Sequence, residues 1–301
     1  MDAASAIAER AGTVDALLAE GGAALAAAGV GTPRLDAELL LAAACGLDRT
    51  ALYVRGRELV SAACAQRFGD LLRRRTRREP LQYIVGRQEF WSLDFVVTPD
   101  VLVPRPETEL LVEIALGVLR SDLPARGVGA RHAVPLRLCD VGTGSGCIAV
   151  ALAQELPGAE VWALDVSMRA LAVAELNAQR LGVAQHMRFL RSDAFESVAG
   201  RRFDVVVSNP PYLAAGDLAD LQPEVAFEPR TALDGGADGL DVIRRLMATA
   251  RDHLFDGGWL LVEIGATQAA AAEDLARAAG FNGVSIRSDY AGLPRVLMAR
   301  C

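Results

Sequence analysis

Asp140-Val141-Gly142-Thr143-Gly144-Ser145-Gly146-Cys147 follows an apolar run at 136–139 and leads into another at 148–155. Glycines at alternate positions let the backbone turn tightly beneath a ligand with no Cβ in the way, so the stretch reads as strand, turn and helix. The same alternation continues toward the C-terminus. Strands are expected at 136–139, 160–164, 187–190, 203–207, 259–263, 284–286 and 295–298. Helices are expected between most of them, at 148–155, 167–180, 240–254 and 266–279. That order predicts an α/β fold: a largely parallel sheet covered on both faces, with an antiparallel pair near the C-terminus.

Upstream the periodicity is helical. Val14, Leu17, Leu18 and Leu25 share one stripe, and Thr32-Pro33 opens a second helix carrying Leu35, Leu39 and Leu40. A third helix is expected at 59–78, burying Val60, Cys64, Phe68 and Leu71 or Leu72. Arg73, Arg74, Arg75, Arg77 and Arg78 crowd its end. Arginines suit a solvated helix C-terminus; a cationic surface for an RNA-associated or acidic protein partner is the competing reading. From 82 to 103 the pattern turns short and extended, with strands expected at 83–85 and 95–97 and turns near Gly86 and Ser92. Pro104, Pro106 and Glu107-Thr108-Glu109 then open a helix through Leu110, Leu111, Ile114 and Val118, followed by a surface loop at 123–134. The expected division is a helical domain at 1–80, a β-hairpin linker at 81–103 and an α/β domain at 104–301.

Composition removes several chemistries. The 301 residues carry a net charge of −7, and all 31 basic residues are arginines, which excludes lysine Schiff bases and lysine general bases. The first 80 residues sum to about +1 and the rest to about −8, so indiscriminate nucleic-acid binding is disfavoured. No window has the apolar length of a bilayer span, and the start lacks the pattern of a signal peptide. The five cysteines lack CxxC spacing and the three histidines are scattered, so no metal is expected. These features predict a reduced, cytoplasmic protein in which Cys45, Cys64, Cys139 and Cys147 are small buried hydrophobes.

Candidate site residues cluster at strand ends. Asp165 closes the second strand, 19 residues beyond Gly146, where a carboxylate can accept from both ribose hydroxyls. That is a nucleoside signal and does not specify a reaction. The third strand leads to Asp193-Ala194-Phe195, where Asp193 can accept from an adenine amino group or act as a loop cap. The fourth strand ends in Ser208-Asn209-Pro210-Pro211-Tyr212. Proline cannot continue the ladder, so the backbone leaves the sheet at its C-terminal edge, where open α/β sheets bind ligands. The Asn209 side-chain oxygen and the Pro210 carbonyl are two acceptors, suited to hold a planar NH2 group, with Tyr212 packing against it.

Asn209-Pro210-Pro211-Tyr212 resembles the motif of methyltransferases acting on planar amino groups. The compressed Gly142–Gly146 turn looks like the S-adenosylmethionine loop of class I methyltransferases. Further segments resemble the peptide chain release factor glutamine methyltransferase (PrmC/HemK) family: 33–40, 78–84, Glu89-Phe90-Trp91, 103–109 and 228–233. The resemblance implies a Rossmann-like methyltransferase domain behind a substrate-recognising helical domain. It also implies N5-methylation of the glutamine in the Gly-Gly-Gln motif of release factors, on or near the ribosome, with S-adenosyl-L-homocysteine as the product. Gly142, Thr143, Gly144, Ser145, Gly146, Asp165, Asp193, Ala194 and Asn209 would bind the cofactor. Asn209, Pro210, Pro211 and Tyr212 would hold the glutamine, with Asn209, Pro210 and Tyr212 serving the transfer. Relatives often carry a larger or aromatic residue where this chain has Ala194, which leaves the adenine-stacking contact open. Arg105, Glu107 and Glu109 would wall the cofactor or target channel, although helix capping explains the acids equally well. The sister family acting on ribosomal protein uL3, an adenine-N6 methyltransferase and a noncatalytic translation-associated binding protein are the alternatives; the intact 104–109 segment favours release factor.

Overall fold

The computed structural model describes residues 12–125, 135–219 and 221–301. The loop expected at 123–134 lies mostly outside these residues, and its first three belong to a helix. The chain divides into two compact units, Met1–Arg87 with Gln222–Phe227, and Gln88–Leu221 with Glu228–Cys301.

The first unit is helical: α1 (Val14–Ala27), α2 (Pro33–Cys45), α3 (Arg49–Val54), α4 (Ala62–Thr76) and α5 (Leu81–Val85). Thr13, Asp48 and Ser61 cap α1, α3 and α4 by accepting backbone N–H bonds, and Pro33 sits at the first helical position of α2. Leu18, Leu25, Leu40, Leu41, Phe68 and Leu72 form the core. Gly21 permits the close packing of Phe68, whose Cζ would lie 2.7 Å from an added Cβ. The strand expected at 83–85 is instead the one-turn α5, because Pro80 starts it and Gly86, at φ 77°, ends it in the left-handed conformation. The short α3 was not expected.

Nor is the arginine cluster an open cationic surface. Arg75 is buried and gives Nε to Asp36 Oδ2 at 2.7 Å, Arg78 grips Glu224 through two 2.7 Å bonds, Arg74 grips Glu79, and Arg73 pairs with Asp70. Arg75 Nη1 also reaches Glu224 at 2.9 Å. Only Arg77 of the five has no ion pair among the described residues. The cysteines correct the sequence reading too. Cys139 and Cys147 are buried, but Cys45 and Cys64 are half-buried.

The second unit opens with a hairpin, β1 (Arg87–Phe90) and β2 (Leu93–Val96), turning through Trp91 and Ser92 at φ 53° and 57°. The Trp91 N–H donates to Glu109 Oε1 at 2.7 Å, which holds this left-handed turn. A short 3₁₀ turn at Pro106–Thr108 leads into α6 (Glu109–Ala125). Then follow β3 (Arg137–Val141), α7 (Cys147–Glu155), β4 (Glu160–Asp165), α8 (Met168–Arg180), β5 (Met187–Arg191), β6 (Phe203–Ser208) and α9 (Asp241–Ala250). The chain ends with β7 (Leu254–Glu263), α10 (Ala269–Ala278), β8 (Gly283–Ser288) and β9 (Pro294–Arg300).

The sheet runs β5-β4-β3-β6-β7-β9-β8. β3 pairs in parallel with β4 and β6, while β9 lies antiparallel between β7 and β8. One apolar layer joins α6 and α7 to a sheet face through Leu111, Ile148, Val150 and Val161; the other joins α9 and α10 to the opposite face through Ile243, Leu246, Leu260 and Ala272. This is the expected Rossmann-like arrangement. The strand order reverses between β3 and β6, and the C-terminal ends of those two strands frame a crevice.

Candidate active site

The glycine turn forms one wall. Gly142, Gly144 and Gly146 adopt φ of 76°, 56° and 80°. A Cβ on Gly142 or Gly144 would meet nothing within 4 Å, so both leave a cradle for a ligand to approach the backbone. Gly146 serves packing instead, because its Cβ would lie 3.0 Å from Ala174 Cβ and 3.1 Å from Ala174 Cα. Asn177 on α8 stiffens the turn by donating to the Ser145 carbonyl at 2.9 Å and exchanging hydrogen bonds with Val96.

Asp140 and Asp165 brace this turn from below. Thr143 Oγ1 donates to Asp140 Oδ2 at 2.7 Å, and Asp140 Oδ1 is buried without a partner among the described residues. Burial pushes the Asp140 carboxyl up to about 7, with the nearby Asp165 charge adding to the shift and the Thr143 bond opposing it. Asp165 accepts the Gly144 N–H at 2.9 Å on Oδ2 and the Ser167 N–H at 2.8 Å on Oδ1. A carboxylate has about four lone-pair sites, so two remain for a diol. Burial raises the Asp165 carboxyl, against the pull of those N–H bonds.

The cleft has a volume of about 1130 Å³, counted to its open mouth. Its lining brings together Gly142–Ser145, Asp165, Asp193, Ala194 and Asn209–Pro211, along with Arg105, Thr108 and Arg245. Other sequence-derived candidates lie elsewhere. Gly146 and Tyr212 do not line it, and Glu107 and Glu109 are likewise outside the wall. Asp193 does line it, but its carboxylate already takes Arg245 Nη1 at 3.0 and 3.1 Å. Among the described residues no aromatic side chain lines the cleft: Phe195 is buried and stacks on His253 at 4.6 Å, and aliphatic residues such as Val166, Ala194 and Leu246 supply apolar contact instead. Arg105 is held by both Glu228 oxygens at 2.7 and 2.8 Å, and Arg230 pairs with Asp234.

At the end of β6, Ser208 Oγ donates to the Val141 carbonyl at 2.6 Å, tying the turn to β3. Asn209 Nδ2 donates to Thr108 Oγ1 at 3.1 Å, and Thr108 Oγ1 donates to Glu263 Oε2 at 2.7 Å. Tyr212 donates its hydroxyl to Glu263 Oε1 at 3.3 Å. Burial pushes the Tyr212 phenol up to about 12 and also raises the Glu263 carboxyl, against the Thr108 bond and the Arg295 charge. Among the described residues nothing donates to Asn209 Oδ1 or to the Pro210 carbonyl, so both acceptors are available. Sequence reasoning missed Glu263 and the hydroxyl role of Thr108, since they meet across 155 positions.

The cradle at Gly142 and Gly144, the spare lone pairs of Asp165 and the aliphatic walls fit a nucleoside bearing a small charged chain, as S-adenosylmethionine does. No group of His, Cys, Asp and Glu among the described residues could hold a metal, and none of the described helices is long and apolar enough to cross a membrane.

Residues 16–86 match the PrmC N-terminal domain, and 121–225 match the methyltransferase small domain. The release factor glutamine methyltransferase of Geobacter sulfurreducens is 45% identical over 277 residues, covering 92% of each chain. That of Moorella thermoacetica is 46% identical, covering 91% of this chain and 94% of its own. A methyltransferase structure from Pyrococcus furiosus shares the fold, with a TM-score of 0.51 at 19% identity, covering 76% of this chain and 98% of that one. On the strength of its full-length relatives, this chain, an S-adenosylmethionine-dependent methyltransferase, belongs to the release factor glutamine methyltransferase family.

Proposed function

We infer that the protein methylates the side-chain amide nitrogen of the glutamine in the Gly-Gly-Gln motif of peptide chain release factors. The observation that carries this reading is the pair of acceptors on consecutive residues, Asn209 Oδ1 and the Pro210 carbonyl, unbonded beside a glycine cradle. Release factors act in translation, and a cytoplasmic enzyme fits that substrate. The helical region 1–80 is assigned to recognition of the protein substrate, 81–103 to the linker and 104–301 to transfer.

A carboxamide nitrogen is a poor nucleophile because its lone pair is delocalised into the carbonyl. Asn209 Oδ1 and the Pro210 carbonyl would each accept one amide hydrogen, fixing the nitrogen in place and stabilising the positive charge that grows on it. The rigid Pro210-Pro211 backbone keeps that geometry without a large ordering cost on binding. Gly142 through Ser145, Asp165 and Ala194 would hold S-adenosylmethionine. Bound there, it would supply a methyl on cationic sulfur for the amide nitrogen, the C–S bond giving way to a C–N bond and leaving a neutral thioether, with one amide proton lost to solvent. No general base is required before attack, and Tyr212, hydrogen-bonded to Glu263, keeps its proton throughout.

Incubation with methyl-labelled S-adenosylmethionine and, separately, release factor, uL3 and nucleic acid tests the reading. Fragmentation should place one methyl on the Gly-Gly-Gln glutamine. Label found only on uL3 or only on nucleic acid would overturn it.

A further inference from the structure

Asn209 can serve as an acceptor only if its carboxamide faces the right way. Oxygen and nitrogen are nearly equal in size, so shape alone does not select between the two orientations. Selection comes from behind. Thr108 Oγ1 carries one hydrogen and gives it to Glu263 Oε2 at 2.7 Å, leaving only lone pairs for Asn209. Asn209 must therefore turn its NH2 to Thr108, 3.1 Å away, and its oxygen elsewhere. An ionised carboxylate accepts and never donates, so Glu263 sets the direction of the whole relay, and Tyr212 occupies its other oxygen.

We propose that Glu263, acting through Thr108, is the positioning residue that orients the Asn209 carboxamide so that oxygen is offered to the substrate nitrogen. The proposal rests on the reading of Asn209 as the glutamine acceptor. With the amide reversed, the NH2 of Asn209 would oppose the NH2 of the substrate, donor against donor.

The relay has a pH-dependent sense. A protonated Glu263 could donate to Thr108, freeing the threonine hydrogen for Asn209 Oδ1 and reversing the amide. Among the described residues five groups face Glu263: Thr108 and Glu107 from the turn before α6, Cys147 from the start of α7, Tyr212 from the turn after β6, and Arg295 from β9. Arg295 favours the ionised form, while burial and Glu107 favour the neutral one; Arg295 is itself paired with Asp289 at 3.1 Å.

The test uses the full chain with release factor, in Thr108→Val, Thr108→Ser and Glu263→Gln. Thr108→Val should lower kcat about 10- to 100-fold, the scale of a lost hydrogen bond in a charged relay. The KM for S-adenosylmethionine should stay within about twofold, since only uniform binding moves KM alone. Thr108→Ser should recover most of kcat, because it keeps the hydroxyl and removes only a methyl. The kcat–pH profile of the wild type should have an acidic limb that Glu263→Gln abolishes. Independently of turnover, the side-chain 15N–1H pair of Asn209, assigned by its absence in Asn209→Ala, should shift and exchange faster in Thr108→Val. Failure of Thr108→Ser to recover kcat, or an Asn209 resonance indifferent to Thr108→Val, overturns the proposal. An enzyme that leaves release factor unmethylated while the Asn209 resonance responds as stated would refute the substrate reading and uphold the relay.

Discussion

The two units treat their polar groups in opposite ways. In the helical unit, Asp36, Glu38, Glu79 and Glu224 are met by Arg75, Arg49, Arg74 and Arg78, and a dense arginine run becomes internal scaffolding. In the α/β unit, Asp140 Oδ1 is buried beneath the glycine turn without a bond, and the partly buried Asn209 turns its NH2 to Thr108, leaving its oxygen unbonded among the described residues. Desolvation makes an unpaired buried polar atom costly, so where one persists the fold sustains it for another purpose. Charge density alone misleads: the arginine run is paired scaffold, while the sparse polar atoms at the cleft keep hydrogen-bonding capacity.

The contrast breaks most visibly at Asp36. Asp36→Ala strips the buried Arg75 of its shortest partner and should destabilise the helical unit by about 3–5 kcal/mol, read as a lowered denaturant midpoint. A midpoint equal to that of the wild type would show that the arginine run is not scaffolding. Asn209→Ala should behave inversely. It should reduce turnover by about 10²–10³, equivalent to about 2.7–4 kcal/mol of transition-state stabilisation, while calorimetric affinity for S-adenosylmethionine holds within about twofold. Comparable losses in both would make Asn209 a binding residue only.

Asp140 sharpens the comparison through pH. Its carboxyl is raised from 3.8 to about 7, so between those values the folded chain holds a proton that the unfolded chain releases. Stability of the α/β unit should fall as pH rises through this window, by up to about 1.4 kcal/mol per unit, and level off above it. Asp140→Asn should flatten that decline in thermal melts from pH 4 to 8. The smallest effect belongs to Arg77. Exposed and without an ion pair among the described residues, it should tolerate Arg77→Ala with stability changed by no more than about 0.5 kcal/mol.

Much of this was legible because helix and strand periods differ. Every strand expected between 136 and 298 is present within a few residues of its bounds, and the glycine turn sits where its spacing placed it. Tyr83-Ile84-Val85 misread as a strand because two β-branched residues and an aromatic favour extension, yet Pro80 and Gly86 close a helical turn around them. Arg49–Val54 went unseen because one buried residue, Leu52, makes no stripe; the Asp48 cap was its only mark. Within the site, glycines, Asp165 and Asn209 announce themselves locally. Glu263 does not, since a glutamate at a strand end reads as a polar terminus until Thr108 and Tyr212 are folded onto it.

Asp165 carries one more consequence. Because its two oxygens already receive the N–H groups of Gly144 and Ser167, asparagine at this position would set an amino group against one of those donors. Aspartate is thus demanded by the turn's own hydrogen bonds, whatever ligand the crevice takes. A ribose drawing on the spare lone pairs would therefore share this carboxylate with the N–H groups that anchor the glycine turn.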